Sequence, residues 1–333
     1  MINSSARRLT ALVISAVVLI AACGGGTSAT PSTEPLSGEI SISGSSTVQP
    51  ISQGVAEAFN EMYPDVAITV DGPGTGDGFQ LFCAGDTDIS DASRAIRDAE
   101  KELCTGGGVE FIELKVAIDG LSILTSVNNT LVTCLSLADL YALTGPESEG
   151  FDNWADARAL ATELGSTTTL PDAALTISGP GEESGTYDYY VESVITDWAE
   201  ERAVENATRK DYNSNPNDNV IIEGIGGADT SLGWVGYAYA IENLDTVQLL
   251  EVAEEPGTCI APTPETIASN EYPLSRDLFI YVNTAKAADN PALAAYVDFY
   301  VAEGTIAAVN ETVGYINLAA DALAASRTAW DAR

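Results

Sequence analysis

Glu39-Ile40-Ser41-Ile42-Ser43-Gly44-Ser45-Ser46-Thr47-Val48 is the stretch on which the reading of this chain turns. Its first half alternates polar and apolar residues, the period of a strand. Its second half is a turn of small hydroxyl residues, followed from about Pro50 by apolar residues at Val55 and Phe59, which have the spacing of a helix. A strand that turns through Gly-Ser-Ser-Thr into a helix points free backbone N–H groups and small hydroxyls at one spot, with the positive end of the helix dipole behind them. Such a spot suits an anion. A second junction of the same kind follows: Ala174 to Ser178 as strand, the turn Gly179-Pro180-Gly181, then Ser184-Gly185-Thr186 opening a helix that carries Tyr187, Tyr190 and Val194. Ser and Thr are also ordinary helix caps, so one junction alone would mean little. Two in one chain indicate a shared design.

The N-terminus sets the expected compartment. Arg7-Arg8, the apolar run Leu9 to Ile20 and Ile20-Ala21-Ala22-Cys23 form the charged region, short apolar region and cleavage box of a lipoprotein signal. The run is too short for a lasting membrane span. Residues 1–22 are expected to be removed, leaving Cys23 as the lipid anchor, with export by the general or the twin-arginine route. Residues 23–38, rich in Gly, Ser, Thr and Pro, are expected to be a flexible tether. The folded part would then sit outside the cytoplasm on a membrane surface. In that oxidising setting the four remaining cysteines are expected to pair. Of the three possible connectivities, Cys83 with Cys104 and Cys134 with Cys259 is preferred, because the first pair flanks one acidic helical hairpin and the second joins two segments of the middle region. No cysteine pair has zinc-ligand spacing, and no metal or cofactor is expected.

The chain has 333 residues and no histidine. Ser-His-Asp triads, Cys-His pairs and His-based metal sites are therefore excluded, and Gly181-Glu182-Glu183-Ser184-Gly185 does not fit a nucleophile elbow. No phosphate-loop lysine occurs, and the glycines of Gly72 to Gly78 lack dinucleotide spacing. With 49 acidic residues, some carboxylate pair will be close in any fold, so such a pair carries no information. An enzyme is not expected. Acidic residues outnumber the 14 Lys and Arg, of which Arg7 and Arg8 belong to the signal, and the formal net charge is −35. That surface argues against nucleic acid as a partner. It does not argue against a small anion, because surface charges are screened beyond about 8 Å at physiological ionic strength, whereas N–H dipoles at contact distance are not.

The length and the alternation of strands and helices predict two α/β lobes. Strands are expected at Glu39 to Ser43, Ala67 to Val70, Thr87 to Ser90 and Phe111 to Ile118, with a hinge strand near Leu121 to Val127. A helix is expected over Leu137 to Leu143, a strand over Leu232 to Tyr237, and a second crossing strand over Leu278 to Val282. Helices at Pro291 to Ala302 and Thr305 to Val309 would return to the first lobe. The division is residues 39–123 in lobe one, 124–280 in lobe two and 281–333 returning to lobe one, with a ligand cleft between lobes joined by two hinge strands.

The order of motifs GSSTVQPI (44–51), DGPGTGDGF (71–79), DISDASRAI (88–96), LADLYALTG (137–145), SGTYDYY (184–190), NDNVI (217–221), GWVGYAYAIEN (233–243), YPLSRDLFIYVN (272–283) and VGYINL (313–318) resembles the phosphate-binding lipoproteins of ABC importers, two-lobed periplasmic binding proteins of type II. The resemblance covers nearly the whole chain after the signal. It implies inorganic phosphate, stripped of water, held by main-chain N–H groups, hydroxyls, one arginine and one acidic acceptor. It also implies an ABC importer permease as partner and a monomer tethered to the membrane. Carried over by position, the ligands are Ser46, Thr47 and Val48 from the first loop, Thr75 from the second, and Ser184, Gly185 and Thr186 from lobe two. Where many members have an arginine four residues before the lobe-two serine, this chain has Pro180, and where many have Asp after Ala-Ser, it has Arg94. Ser93 and Arg94 are therefore expected as ligands, with Arg94 supplying the positive charge and Arg97 facing solvent. The acidic acceptor stays open: Asp218 is the leading candidate, with Asp88, Asp91 and Glu183 as others. A receptor of the same fold for sulfate, molybdate or tungstate, and a surface lipoprotein without a transport role, are the alternatives.

Overall fold

In a computed structural model, the structure describes residues 36–333 apart from Glu183, Glu255 and Pro256. The expected signal, the Cys23 anchor and nearly all of the tether lie outside the described residues, as does Glu183. The strands are β1 (Gly38–Gly44), β2 (Val66–Asp71), β3 (Ile89–Ala92), β4 (Phe111–Ser126), β5 (Cys134–Ser136), β6 (Ile177–Gly179), β7 (Asn213–Ser214), β8 (Leu232–Gly236), β9 (Val247–Leu249), β10 (Glu251–Ala253) and β11 (Ser275–Asn283). Nine of them form one sheet in the order β2-β1-β3-β11-β4-β8-β6-β7, with β9 also on β4, and β5 pairs with β10 apart from it. The fold is α/β, as the alternation of elements predicts.

The two largest apolar cores among the described residues lie against this sheet. In the first, Ile40 and Ile42 of β1 bury the same face as Leu114 and Val116 of β4 and Leu278, Ile280 and Val282 of β11. The helix Gln49–Met62 covers them with Ile51, Val55 and Phe59, one residue per turn, and Pro50 sits in its first turn, where no N–H is missed. The helix Pro291–Tyr300 and Trp330 of the C-terminal helix Ala320–Asp331 complete this core. In the second core, Leu121 and Ile123 of β4 pack with Tyr141, Trp154, Tyr190, Trp234 and Leu274.

The strand joining the cores differs from the expectation of two separate strands at Phe111 to Ile118 and Leu121 to Val127. β4 is continuous for 16 residues. Its first part pairs with β11, from Phe111 opposite Asn283 to Gly120 opposite Ser275, and its second part pairs with β8 and β9. Gly120 does not interrupt it, because an extended strand tolerates glycine, and a Cβ there would lie 2.7 Å from Ile267 Cδ1. β11 crosses near Arg276: Leu274 lies in the second core and Leu278 already in the first. Several strands depart from their expected bounds, β11 among them, which begins at Ser275 where Leu278 was expected. β3 begins at Ile89 because Asp88 is spent on anchoring, its carboxylate accepting from Ser41 N–H and pairing with Lys286. β6 is reduced to three residues, since Leu175 N–H turns aside to Asp152 O.

Both expected disulfides are present, Cys83–Cys104 and Cys134–Cys259. Peptide mapping of the exported protein under non-reducing conditions should return these two linked pairs. Recovery of Cys83 joined to Cys134 or Cys259 would contradict the fold, since Cys83 and Cys104 are buried together in a satellite cluster with Phe79 and Phe82.

Candidate functional site

The first loop is tied down from below. Gly44 has φ +152°, and a Cβ there would sit 2.0 Å from the Asp91 carbonyl, so only glycine lets β1 and β3 approach. A Cβ on Gly78 would likewise lie 2.4 Å from Gly44 Cα, so the helix Thr75–Cys83 presses its first turn onto the same loop. Ser45 N–H donates to Asp91 O, and Ser45 Oγ accepts from Thr47 N–H at 3.2 Å and Val48 N–H at 3.4 Å. These two helix-opening donors are thus only weakly engaged, at the long end of hydrogen bonding. Thr47 O accepts from Tyr315 OH at 2.9 Å, which fixes the loop from the C-terminal segment.

Around this loop lies a cleft of about 410 Å³, lined by Ser45, Ser46, Thr47, Gly74, Thr75, Ser93, Arg94, Arg97, Asp188, Glu192 and Arg276 among others. Thr75 and Ser93 share a contact, with Thr75 Oγ1 accepting from Ser93 N–H at 3.2 Å and their hydroxyls 3.1 Å apart. Across the cleft, Ser46 Oγ donates to Asp188 at 3.1 Å and Thr47 Oγ1 donates to Gly185 O at 3.4 Å. A Cβ on Gly185 would be 3.0 Å from Thr47 Oγ1 and 3.2 Å from Ser46 Oγ, so glycine permits the two junctions to meet. The structure thus brings Ser46, Thr47, Thr75, Ser93, Arg94 and Gly185 together. Val48 Cα belongs to the loop, but its side chain is buried in the first core. Ser184 acts as the helix cap, its Oγ accepting from Thr186 N–H at 3.2 Å, and neither residue is among the lining side chains.

Asp218 does not line this cleft. It is the first residue of the helix Asp218–Gly226, where a carboxylate suits the helix dipole, and burial raises its pKa above the ordinary carboxylate value. Asp88 is committed to Lys286. Asp91 is fully buried beneath the first loop, accepts from Ser52 Oγ at 2.8 Å, and is pushed up to about 7 by burial, against the opposing effect of the Ser52 hydrogen bond. The carboxylates that face the cleft are Asp188 and Glu192, four residues apart on one helical face.

Arg276, within the hinge-like motif YPLSRDLFIYVN, is not marked as a ligand by any local pattern in the sequence. It sits at the crossing of β4 and β11, directly opposite Asp119. Its guanidinium donates to Thr47 Oγ1 at 2.8 Å and to Asp119 Oδ2 at 3.3 Å, and stacks 3.6 Å over the Tyr189 ring. Both side chains of the Arg276–Asp119 pair are only 10% exposed. Burial raises the Asp119 carboxyl, and the charge of Arg276 pulls it the other way. Arg94 makes a two-pronged contact with Glu100, at 2.9 and 2.7 Å, which raises its pKa and leaves Nε toward the cleft. Glu100 is lowered in net: burial alone would raise it, but hydrogen bonds from Arg94 and from Arg97 N–H outweigh that. Arg97 is largely exposed, as expected, yet its guanidinium reaches the cleft.

Hydroxyls, helix-opening N–H groups and three guanidiniums therefore converge on one small polar cleft between the cores. A larger groove of about 540 Å³, beside Leu137 and Trp198, carries Asp197, Glu201 and Glu254 and no basic side chain among the described residues that line it. It is the wrong sign for an anion.

Residues 29–303 match a family model described as a PBP superfamily domain. Protein SphX of Synechocystis is 36% identical over 85% of this chain and 79% of its own. The phosphate-binding protein PstS of Staphylococcus aureus is 31% identical over 91% of this chain and 85% of its own. Among solved structures, a possible phosphate binding protein from Planctomyces limnophilus superposes with a TM-score of 0.79 at 34% identity, covering 89% of this chain and 99% of that one.

Proposed function

From a chain that belongs to the PBP superfamily, in the family of SphX and PstS, we propose capture of inorganic phosphate in the cleft between the two cores and its delivery to an ABC importer. The observation that carries this reading is the convergence of Arg276, Arg94 and Arg97 with the hydroxyls of Ser46, Thr47, Thr75 and Ser93 on one site. The two arginines deepest in the cleft are each pre-positioned by a carboxylate, Asp119 for Arg276 and Glu100 for Arg94. Charged donors held ready in a partly dehydrated site bind an oxyanion without the cost of ordering them on arrival.

In this reading the two cores are lobes that close over the anion, hinged where β4 passes Gly120 and β11 passes Arg276. The ligand set is Ser46, Thr47, Val48 through its N–H, Thr75, Ser93, Arg94, Ser184, Gly185 and Thr186, with Arg276 added. The relative PstS is named as a phosphate-binding protein, and this chain likewise acts by binding, with no catalytic step. The protein works outside the cytoplasm as a monomer, tethered through Cys23.

Calorimetry of the processed protein with phosphate should show binding at micromolar affinity or better, about −8 kcal/mol. A smaller scattering radius should accompany it as the lobes close. The absence of heat with phosphate, together with heat on adding sulfate or molybdate, would transfer the site to another oxyanion.

A further inference from the structure

Glu192 stands inside the cleft in a position that the proposed function does not use. Its carboxylate faces all three guanidiniums: Arg276 Nη1 at 3.5 Å, Arg94 Nε at 3.7 Å and Arg97 Nη2 at 3.8 Å. These contacts are longer than the 2.7 to 2.9 Å by which Arg94 is held to Glu100. The Glu192 side chain is 39% exposed, whereas those of Arg276 and Asp119 are 10% exposed. The acids around the arginines thus fall into two kinds. Glu100 holds Arg94 at 2.7 Å and Asp119 pairs with Arg276 at 3.3 Å in a buried contact, while the more exposed Glu192 lines the cleft among the three guanidiniums.

The local backbone sets Glu192 apart as well. The helix that starts at Gly185 loosens into a single π-helical turn over Val191–Ile195 before resuming at Thr196. Such turns cost regular hydrogen bonding and cluster at functional positions. Glu192 lies within this one, on the same face as Asp188, whose carboxylate accepts from Ser46 across the cleft.

We propose that Glu192 is a tethered anion that sits at the oxyanion position, compensates the three arginines around it and must be displaced by an incoming ligand. This rests on the phosphate reading given above and deepens it. Three guanidiniums gathered in a cleft repel one another, and a mobile carboxylate offsets that repulsion while no ligand is bound. An incoming phosphate takes over those contacts, so its observed affinity is the affinity of the cleft less the work of moving Glu192 aside. The glutamate therefore weakens binding, and it does so for any oxyanion of similar size.

The test is calorimetry of the wild type, Glu192→Gln and Glu192→Ala with phosphate and with sulfate, alongside thermal unfolding without ligand. Both variants should bind phosphate about tenfold or more tightly than the wild type, while their ligand-free melting temperature falls. Weaker phosphate binding in Glu192→Gln would overturn the proposal and make Glu192 a direct ligand, and unchanged affinity would overturn it equally. If the wild type binds no phosphate, the receptor reading fails. Binding of phosphate or sulfate by the variants alone would then still support the displaced glutamate, and binding by none of the three proteins would sink it too.

Discussion

Replacing Arg276 by alanine should raise the phosphate Kd at least about a hundredfold, near 3 kcal/mol, the upper end for a hydrogen bond to a charged group. The residue combines three features that make truncation expensive. It donates to the first-loop hydroxyl of Thr47, it stacks on Tyr189, and it is nearly dehydrated beside Asp119. Removing it takes away the positive charge and leaves Asp119 as an unpaired carboxylate in its place, which adds repulsion to the loss of attraction. Arg94→Ala should cost less, about 1.5 to 3 kcal/mol, because two of its nitrogens are already spent on Glu100. Titration calorimetry on both variants checks the ranking. Since Arg276→Ala also strands a buried acid, the double variant Asp119→Asn, Arg276→Ala is the control: it should recover stability in denaturant without recovering binding. If that double variant binds phosphate within threefold of the wild type, Arg276 is a structural residue of the hinge and no ligand.

The second large effect concerns Asp91 and pH. Its carboxyl is fully buried under the first loop, with Oδ1 accepting from Ser52 and Oδ2 without a hydrogen-bond partner among the described residues. Burial moves its pKa from 3.8 to about 7 in the folded protein. Below pH 4 the group is protonated whether the chain is folded or not, and its contribution to stability is intact. As pH rises toward 7, the unfolded chain releases the proton and the folded chain keeps it, so stability drains away across that window and is fully lost above the folded pKa. The difference corresponds to about 4 kcal/mol as an upper figure. Asp91→Asn keeps the shape without the charge, so relative to the wild type it should gain up to that amount between pH 4 and pH 8. Urea unfolding of both proteins across the range measures it. A constant gap between the two curves would mean that Asp91 ionises like an exposed acid. The position matters for function because Ser45, which holds the Thr47 and Val48 N–H groups, is itself held by the Asp91 carbonyl.

Much of this was legible in one dimension. The alternation Glu39 to Ser43 and the spacing of Val55 and Phe59 after Pro50 define β1 and its helix, because which face of a local element is apolar is written in its period. The hydroxyl-rich turns pointed to donors gathered at one loop, since a helix N-terminus has donors to spare wherever it occurs. Even the cysteine pairing followed from position along the chain.

What the order of residues could not supply was convergence from far apart. Arg276 reads as one charge at the start of an apolar strand; only the antiparallel register that sets it opposite Asp119, and the crossing that sets it beside Thr47, 229 positions earlier, turn it into the central cation. Asp218 reads as a candidate acidic acceptor at a helix start and does open a helix, but it does not line the cleft, while Asp188 and Glu192 line it because one helical face happens to point there. The α/β class, the strand-turn-helix junctions and the supply of hydroxyl and N–H donors at the first loop were readable from the order of residues, because each depends on neighbours within a few positions. Which charges meet in the cleft depends on the tertiary arrangement, because contact between segments far apart follows strand register and core packing that no local pattern encodes.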